Sequence, residues 1–137
     1  MTKKLFIGLL LLVGLSLAGC GDNCRLSGKV TFTDGNPVPT GMVLFTTPTF
    51  QAKGEIQPDG TYIVGSEKKY NGIPKGTYQV SVTGVTKQVP GMGGMSAYVP
   101  ICDEKYLYDA TSGLTCTVPA PGNKYDIVLE PHPVNYP

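Results

Sequence analysis

Four cysteines, one histidine and scattered carboxylates are the residues that could do chemistry in this 137-residue chain. A hydrolytic triad needs its histidine held by a carboxylate and within hydrogen-bond reach of a nucleophile. His132 stands between Pro131 and Pro133 at the end of the chain, which predicts a solvated tail residue and no catalytic group. No Cys-x-x-Cys pair occurs, and one histidine is too few for a zinc set. Asp103, Glu104 and Asp109 lack the regular oxygen spacing and obligatory turn of a calcium loop. The sequence therefore predicts neither a metal site nor a cofactor.

Cys20 has a different context. Lys3 and Lys4 precede an apolar run from Leu5 to Leu17, which closes on Leu17-Ala18-Gly19-Cys20. A positive start, a short apolar core and small residues before a cleavage point describe an export signal over residues 1–19. Leu-Ala-Gly-Cys resembles the bacterial lipobox. The resemblance implies that the Cys20 thiol is linked to diacylglycerol and that Cys20 becomes the first residue. Buried acyl chains at about 0.8 kcal/mol per methylene would make the membrane the first partner of the chain. Residues 20–25 would be a short tether, so any further partner, an envelope protein or a glycan, must lie close to that membrane.

Loss of Lys3 and Lys4 leaves nine basic side chains against ten acidic ones. That composition predicts a near-neutral domain, with no basic stripe for nucleic acid or an anionic lipid surface. Export into an oxidising compartment favours a disulfide among Cys24, Cys102 and Cys116. The count leaves three pairings open. Cys116 shares the alternation of Leu114 and Val118 and so points into a core, whereas Cys24 and Cys102 lie in less regular chain. The expected bridge is Cys24–Cys102, with Cys116 free.

The elements that would hold these residues read as strands. Leu26, Gly28, Val30 and Phe32 alternate with polar residues, and Asp34-Gly35-Asn36-Pro37 follows as a turn. Met42–Thr47 and Lys53–Gln57 are the next strands. Pro58-Asp59-Gly60 then turns the chain into Thr61–Val64. Thr77–Thr83, the run through Leu114, Cys116 and Val118, and the run through Tyr125, Ile127 and Leu129 complete seven strands. Short strands separated by Gly/Pro turns predict an all-β fold, a single seven-stranded antiparallel β-sandwich over residues 26–130.

Two segments depart from this rhythm. Residues 85–112 show no sustained alternation and are predicted as one long irregular loop, the place where function concentrates in compact domains. Within it, Met92, Met95 and Tyr98 are the candidate contacts for a ligand or partner, because methionine adapts to many surfaces and tyrosine joins apolar area to a hydroxyl. Tyr106 is read instead as packing over the end of the sandwich. Residues 131–137 form a Pro-rich tail that should leave the sheet after Glu130.

The order of these elements resembles the carboxypeptidase regulatory-like, or transthyretin-like (prealbumin-like), β-sandwich. The resemblance rests on Gly28-x-Val30, Gly35-x-Pro37-Val38, Asp59-Gly60-Thr61-Tyr62 and Pro74-x-Gly76-x-Tyr78-x-Val80. The run "EKYLYDATSGLTCTV" is also similar to a segment of short lipoproteins from planctomycetes and related bacteria. In metallocarboxypeptidases this sandwich accompanies a separate catalytic domain, for which this chain has no counterpart. The hydrolases of the wider family use several histidines and a Tyr-Arg-Gly-Ser terminus, whereas this chain has only His132 and ends Asn135-Tyr136-Pro137. The resemblance thus implies a non-enzymatic, lipid-anchored envelope lipoprotein with a structural or protein-interaction role. The alternative is a carbohydrate- or peptide-binding module that uses residues 85–109.

Overall fold

The computed structural model describes residues 23–65 and 72–134. Cys20, the signal segment, residues 66–71 and the last three residues lie outside the described residues. The described chain is mostly β. Its strands in order are β1 (Asn23–Cys24), β2 (Ser27–Phe32), β3 (Met42–Thr47), β4 (Phe50–Glu55), β5 (Thr61–Gly65), β6 (Ile73–Pro74), β7 (Gly76–Thr83), β8 (Thr86–Pro90), β9 (Ser96–Pro100), β10 (Leu114–Val118) and β11 (Ile127–Leu129).

Seven of these form one curled sheet in the order β10-β7-β3-β4-β5-β2-β11. They are the seven strands that alternation picks out. The sheet is mixed rather than wholly antiparallel, because β11 runs parallel to β2 with Ile127 opposite Val30 and Leu129 opposite Phe32. The cause is the connection after Val118. Residues 119–126 cross the end of the sheet where β10 finishes, from one edge strand to the other, and Tyr125 donates its N–H to the Ser27 carbonyl at 2.9 Å before β11 begins. β4 starts earlier than predicted, since Phe50 and Gln51 already pair with Thr47 and Thr46 across the Pro48-Thr49 turn.

The curl is concentrated between β4 and β5, which share only the pairs Lys53–Gly65 and Gly54–Val64. This brings the inner faces of β3 and β5 together, with the Phe45 and Tyr62 rings 6.2 Å apart. Val30, Val43, Phe45, Tyr62, Val80 and Leu129 are fully or almost fully buried in the resulting core. Tyr78 and Cys116, opposite one another across β7 and β10, also point into it. Alternate residues of each strand thus feed one interior, as the two-residue period requires.

Gly28 is needed at the closest approach. A Cβ there would meet the Tyr125 backbone and come within 2.9 Å of the Tyr62 hydroxyl oxygen. That hydroxyl donates to the Tyr125 carbonyl, so a residue without a side chain lets the returning segment close over β2.

Residues 85–112 are not one irregular loop. They contain the antiparallel hairpin β8–β9, a 3-10 turn at Glu104–Leu107 and a single helical turn, α1 (Asp109–Ser112). Ser112 is buried and donates its hydroxyl to the Val80 carbonyl, while accepting from the Leu114 N–H at 3.2 Å. Gly113, at φ 73°, then turns the chain into β10.

Candidate functional site

The hairpin β8–β9 is the part of the described chain that stands clear of the core. Its register runs from Thr86 opposite Pro100 to Pro90 opposite Ser96, and none of residues 86–100 is buried. It is rooted by Val85 and Cys102, both buried, with the Ile101 N–H donating to the Val85 carbonyl at 3.1 Å. The tip closes through Gly91 N–H to the Met95 carbonyl at 2.6 Å. Gly93 and Gly94 both have positive φ, 65° and 79°, a succession that residues with a Cβ rarely adopt. The glycines therefore fix how the tip presents its side chains.

Those side chains are Met92, 94 % exposed, and Met95, 74 % exposed, with Tyr98 on β9 at 70 %. The hairpin thus gathers all three sequence-predicted contact residues on one short ribbon. Between Val85 and Ile101 the only charged side chain is Lys87. Large apolar groups left in water on a projection with a single charge are a feature of contact surfaces rather than of packing. The sequence carried a signal for this hairpin: "TKQVP" and "SAYVP" are two short strand-like runs, each ended by proline, flanking a Gly-x-Gly-Gly turn. It is weak because the ribbon buries neither face, so no apolar alternation marks it.

Behind the root, Gly84, Val85, Pro100, Cys102, Glu104 and Leu107 line a cleft of about 240 Å³. Burial, reinforced by the neighbouring Asp103 carboxylate, pushes the Cys102 thiol up to about 11. At neutral pH it is a thiol and not a thiolate, and only the thiolate is a strong nucleophile. Among the described residues no group of three His, Cys, Asp or Glu side chains is placed to hold a metal ion.

His132 is not a solvated tail residue. Its side chain is only 10 % exposed, with Nε2 at 3.9 Å from Glu104 Oε1. Its Nδ1 accepts the Val134 N–H at 3.0 Å. The start of the tail is fastened to the segment after the hairpin. His132 N–H donates to the Ile101 carbonyl at 3.0 Å, Asp103 N–H donates to the Glu130 carbonyl at 2.9 Å, and Pro131 bridges Cys102. The Glu130 N–H donates to the hydroxyl of the buried Tyr106 at 3.1 Å, and Lys105 pairs with the Glu130 carboxylate. Asp103 is also accounted for locally, since its carboxylate accepts the Lys105 N–H at 2.9 Å. These groups build a clasp that supports the hairpin root. The proline pair around His132 signals extended chain but gives no hint of what that chain docks on.

The expected Cys24–Cys102 bridge is absent, and Cys24, Cys102 and Cys116 are all free thiols. Cys24 pairs with Ile73, just before β7 begins at Gly76, whereas Cys102 adjoins the hairpin root beyond Thr83. The eight residues of β7 separate the two ends, roughly 23 Å of strand at about 3.3 Å per residue. A disulfide tolerates Cα atoms no more than about 7 Å apart. Cys116 lies inside the core as predicted, and burial pushes its thiol up to about 11.

The same geometry orients the hairpin. The described chain starts at Asn23, opposite Pro74, at one end of β7, and the hairpin leaves from the other end. No protein-family model, curated protein or solved structure matches this chain.

Proposed function

We propose that this chain is an exported lipoprotein, lipid-anchored at Cys20, whose non-enzymatic β-domain holds an interaction hairpin away from a membrane of the cell envelope. The finer fold reading, a transthyretin-like sandwich, belongs to this proposal. Its support is the curl between β4 and β5, which sets the β10-β7-β3-β4 half against the β5-β2-β11 half around shared core residues.

The observation that carries the function is the placement of Met92, Met95 and Tyr98. They are exposed together on a projecting ribbon, at the end of β7 opposite the entry of the N-terminal segment. A tether that leaves Cys20 within a few residues of β1 would keep that entry end at the membrane. The hairpin would then face outward, toward an envelope protein.

A photo-crosslinking residue at Met92 or Met95, in cells making the full chain, tests this. A discrete crosslinked protein from the hairpin positions, not seen from exposed Thr115 on β10, is the expected result. Equal crosslinking from both places, or none from the hairpin, sinks the interaction reading. Mass spectrometry of the mature N-terminus tests the anchor, and a first residue other than a modified Cys20 refutes it. The exposed Tyr98 ring also supports the carbohydrate- or peptide-binding alternative. Binding on a glycan or peptide array that disappears in Tyr98→Ala would replace the protein-partner reading with that one.

A further inference from the structure

Charge is unevenly distributed along the domain, although the composition is nearly balanced. At the end where the chain enters, Arg25 follows β1, Lys75 joins β6 to β7, and Lys124 lies in the return segment after β10. All three are exposed. They belong to one end because Asn23 pairs with Pro74, Gly76 pairs with Val118, and Lys124 bridges Ser27. Residues 23–26, 72–76 and 118–125 include no carboxylate. None of the three cations makes an ion pair with a described residue; the two such pairs involve Lys105 and His132.

The described carboxylates lie outside those stretches. Asp34 follows the end of β2 and Glu55 ends β4, while Asp103, Glu104 and Glu130 surround the hairpin root. Asp126 is the described carboxylate nearest the entry end. Its Oδ1 accepts the Lys29 N–H at 2.9 Å, and it lines a cleft with Lys124 and Ile63. Ile63, an exposed large apolar side chain, also lines the adjoining cleft of about 330 Å³ beside Arg25.

We infer that this entry end is a seat for an anionic lipid surface, with Arg25, Lys75 and Lys124 meeting headgroup phosphates and Ile63 reaching toward the acyl boundary. The inference rests on the lipid-anchor reading, which brings this end to the membrane. The segregated charge adds what an anchor alone lacks: it fixes which way the domain faces. Cations near an anionic leaflet are attracted and carboxylates are repelled, so the field turns the acidic hairpin end outward. Apolar side chains flanked by cations are the arrangement that interfacial segments use.

The test uses the full acylated chain, reconstituted into vesicles of phosphatidylcholine alone or of equimolar phosphatidylcholine and phosphatidylglycerol. Amine labelling of each lysine is read by mass spectrometry. Lys75 and Lys124 should lose labelling several-fold in the anionic vesicles and recover it at high salt, while Lys87 is unchanged. Equal labelling of Lys75 and Lys124 in the two compositions overturns the inference. So does an unchanged lipid preference in the triple variant Arg25→Gln, Lys75→Gln, Lys124→Gln, for which roughly fivefold weakening per charge removed is expected. Intact mass of the same sample reports the anchor separately. If the diacylglycerol is missing, the anchor reading fails and the chain is sedimented with both kinds of vesicle. Binding to anionic vesicles alone then sustains the cationic seat, and binding to both or to neither overturns it.

Discussion

Tyr62 donates its hydroxyl hydrogen to the backbone carbonyl of Tyr125, across the position where residue 28 has no side chain. These tyrosines are 63 positions apart in sequence. Their contact joins β5 to the segment that delivers β11 parallel to β2. Burial drives the Tyr62 hydroxyl far above its ordinary range, reinforced by Cys116, Tyr125 and Asp126, so it stays a donor at any ordinary pH.

Gly28→Ala should therefore be much worse than its single added methyl suggests. The new Cβ meets the Tyr125 backbone, and overpacking of this kind costs about 1–3 kcal/mol before the hydrogen bond is counted. Tyr62→Phe removes only the donor and leaves a carbonyl unsatisfied, about 1–2 kcal/mol. Urea denaturation should rank Gly28→Ala below Tyr62→Phe, and the reverse order would show that the return segment moves aside freely.

Phe45 is the ring that links both halves of the curl, at 6.2 Å from Tyr62, 6.4 Å from Tyr78 and 6.2 Å from Tyr125. Phe45→Ala should destabilise by about 3–5 kcal/mol. Met92→Ala, at the exposed hairpin tip, should change stability by under about 0.5 kcal/mol. Thermal melts of the two variants check the contrast between packing and presentation.

Ser112→Ala tests how α1 is held. The hydroxyl both donates to Val80 and accepts from Leu114, so its loss should cost about 1–3 kcal/mol. Amide exchange at Leu114 should rise in this variant. Unchanged protection there would mean that Gly113 alone sets the entry into β10.

The thiols predict an alkaline limit to stability. Burial raises Cys102 and Cys116 from 9.0 to about 11 in the folded chain. The unfolded chain releases those protons first, so their contribution is full below about pH 9, falls as pH rises, and is gone above about pH 11. Under reducing conditions the urea midpoint should drop between pH 9 and 11. In Cys102→Ala/Cys116→Ala that part of the drop should disappear. Iodoacetamide at pH 8 should label Cys24, the partly exposed thiol, well before the two buried ones.

Much of the fold is legible residue by residue. Leu26, Val30, Tyr62, Val64, Tyr78, Val80, Cys116, Val118, Ile127 and Leu129 are buried on the parities that alternation predicts. The Asp59 turn closes where expected, with its carboxylate accepting the Thr61 N–H at 3.0 Å. The hairpin β8–β9 was less legible because no face of it is buried, although Met92, Met95 and Tyr98 stand out by type alone.

What the sequence by itself determined is local: where the seven strands of the main sheet lie, which of their side chains face inward, and where glycine and proline must turn the chain. Those choices depend on neighbours a few residues apart. Tertiary structure alone decided that β11 runs parallel to β2, that His132 is clasped beside Glu104, and that Cys24 and Cys102 lie at opposite ends of β7. It also decided that Arg25, Lys75 and Lys124 share an end, in described stretches that carry no carboxylate. Each of these joins residues far apart in the chain, as the Lys29–Asp126 hydrogen bond does across 97 positions. Local periodicity carries no information about which distant strand will be the partner, because pairing is selected by how the buried faces close over one another.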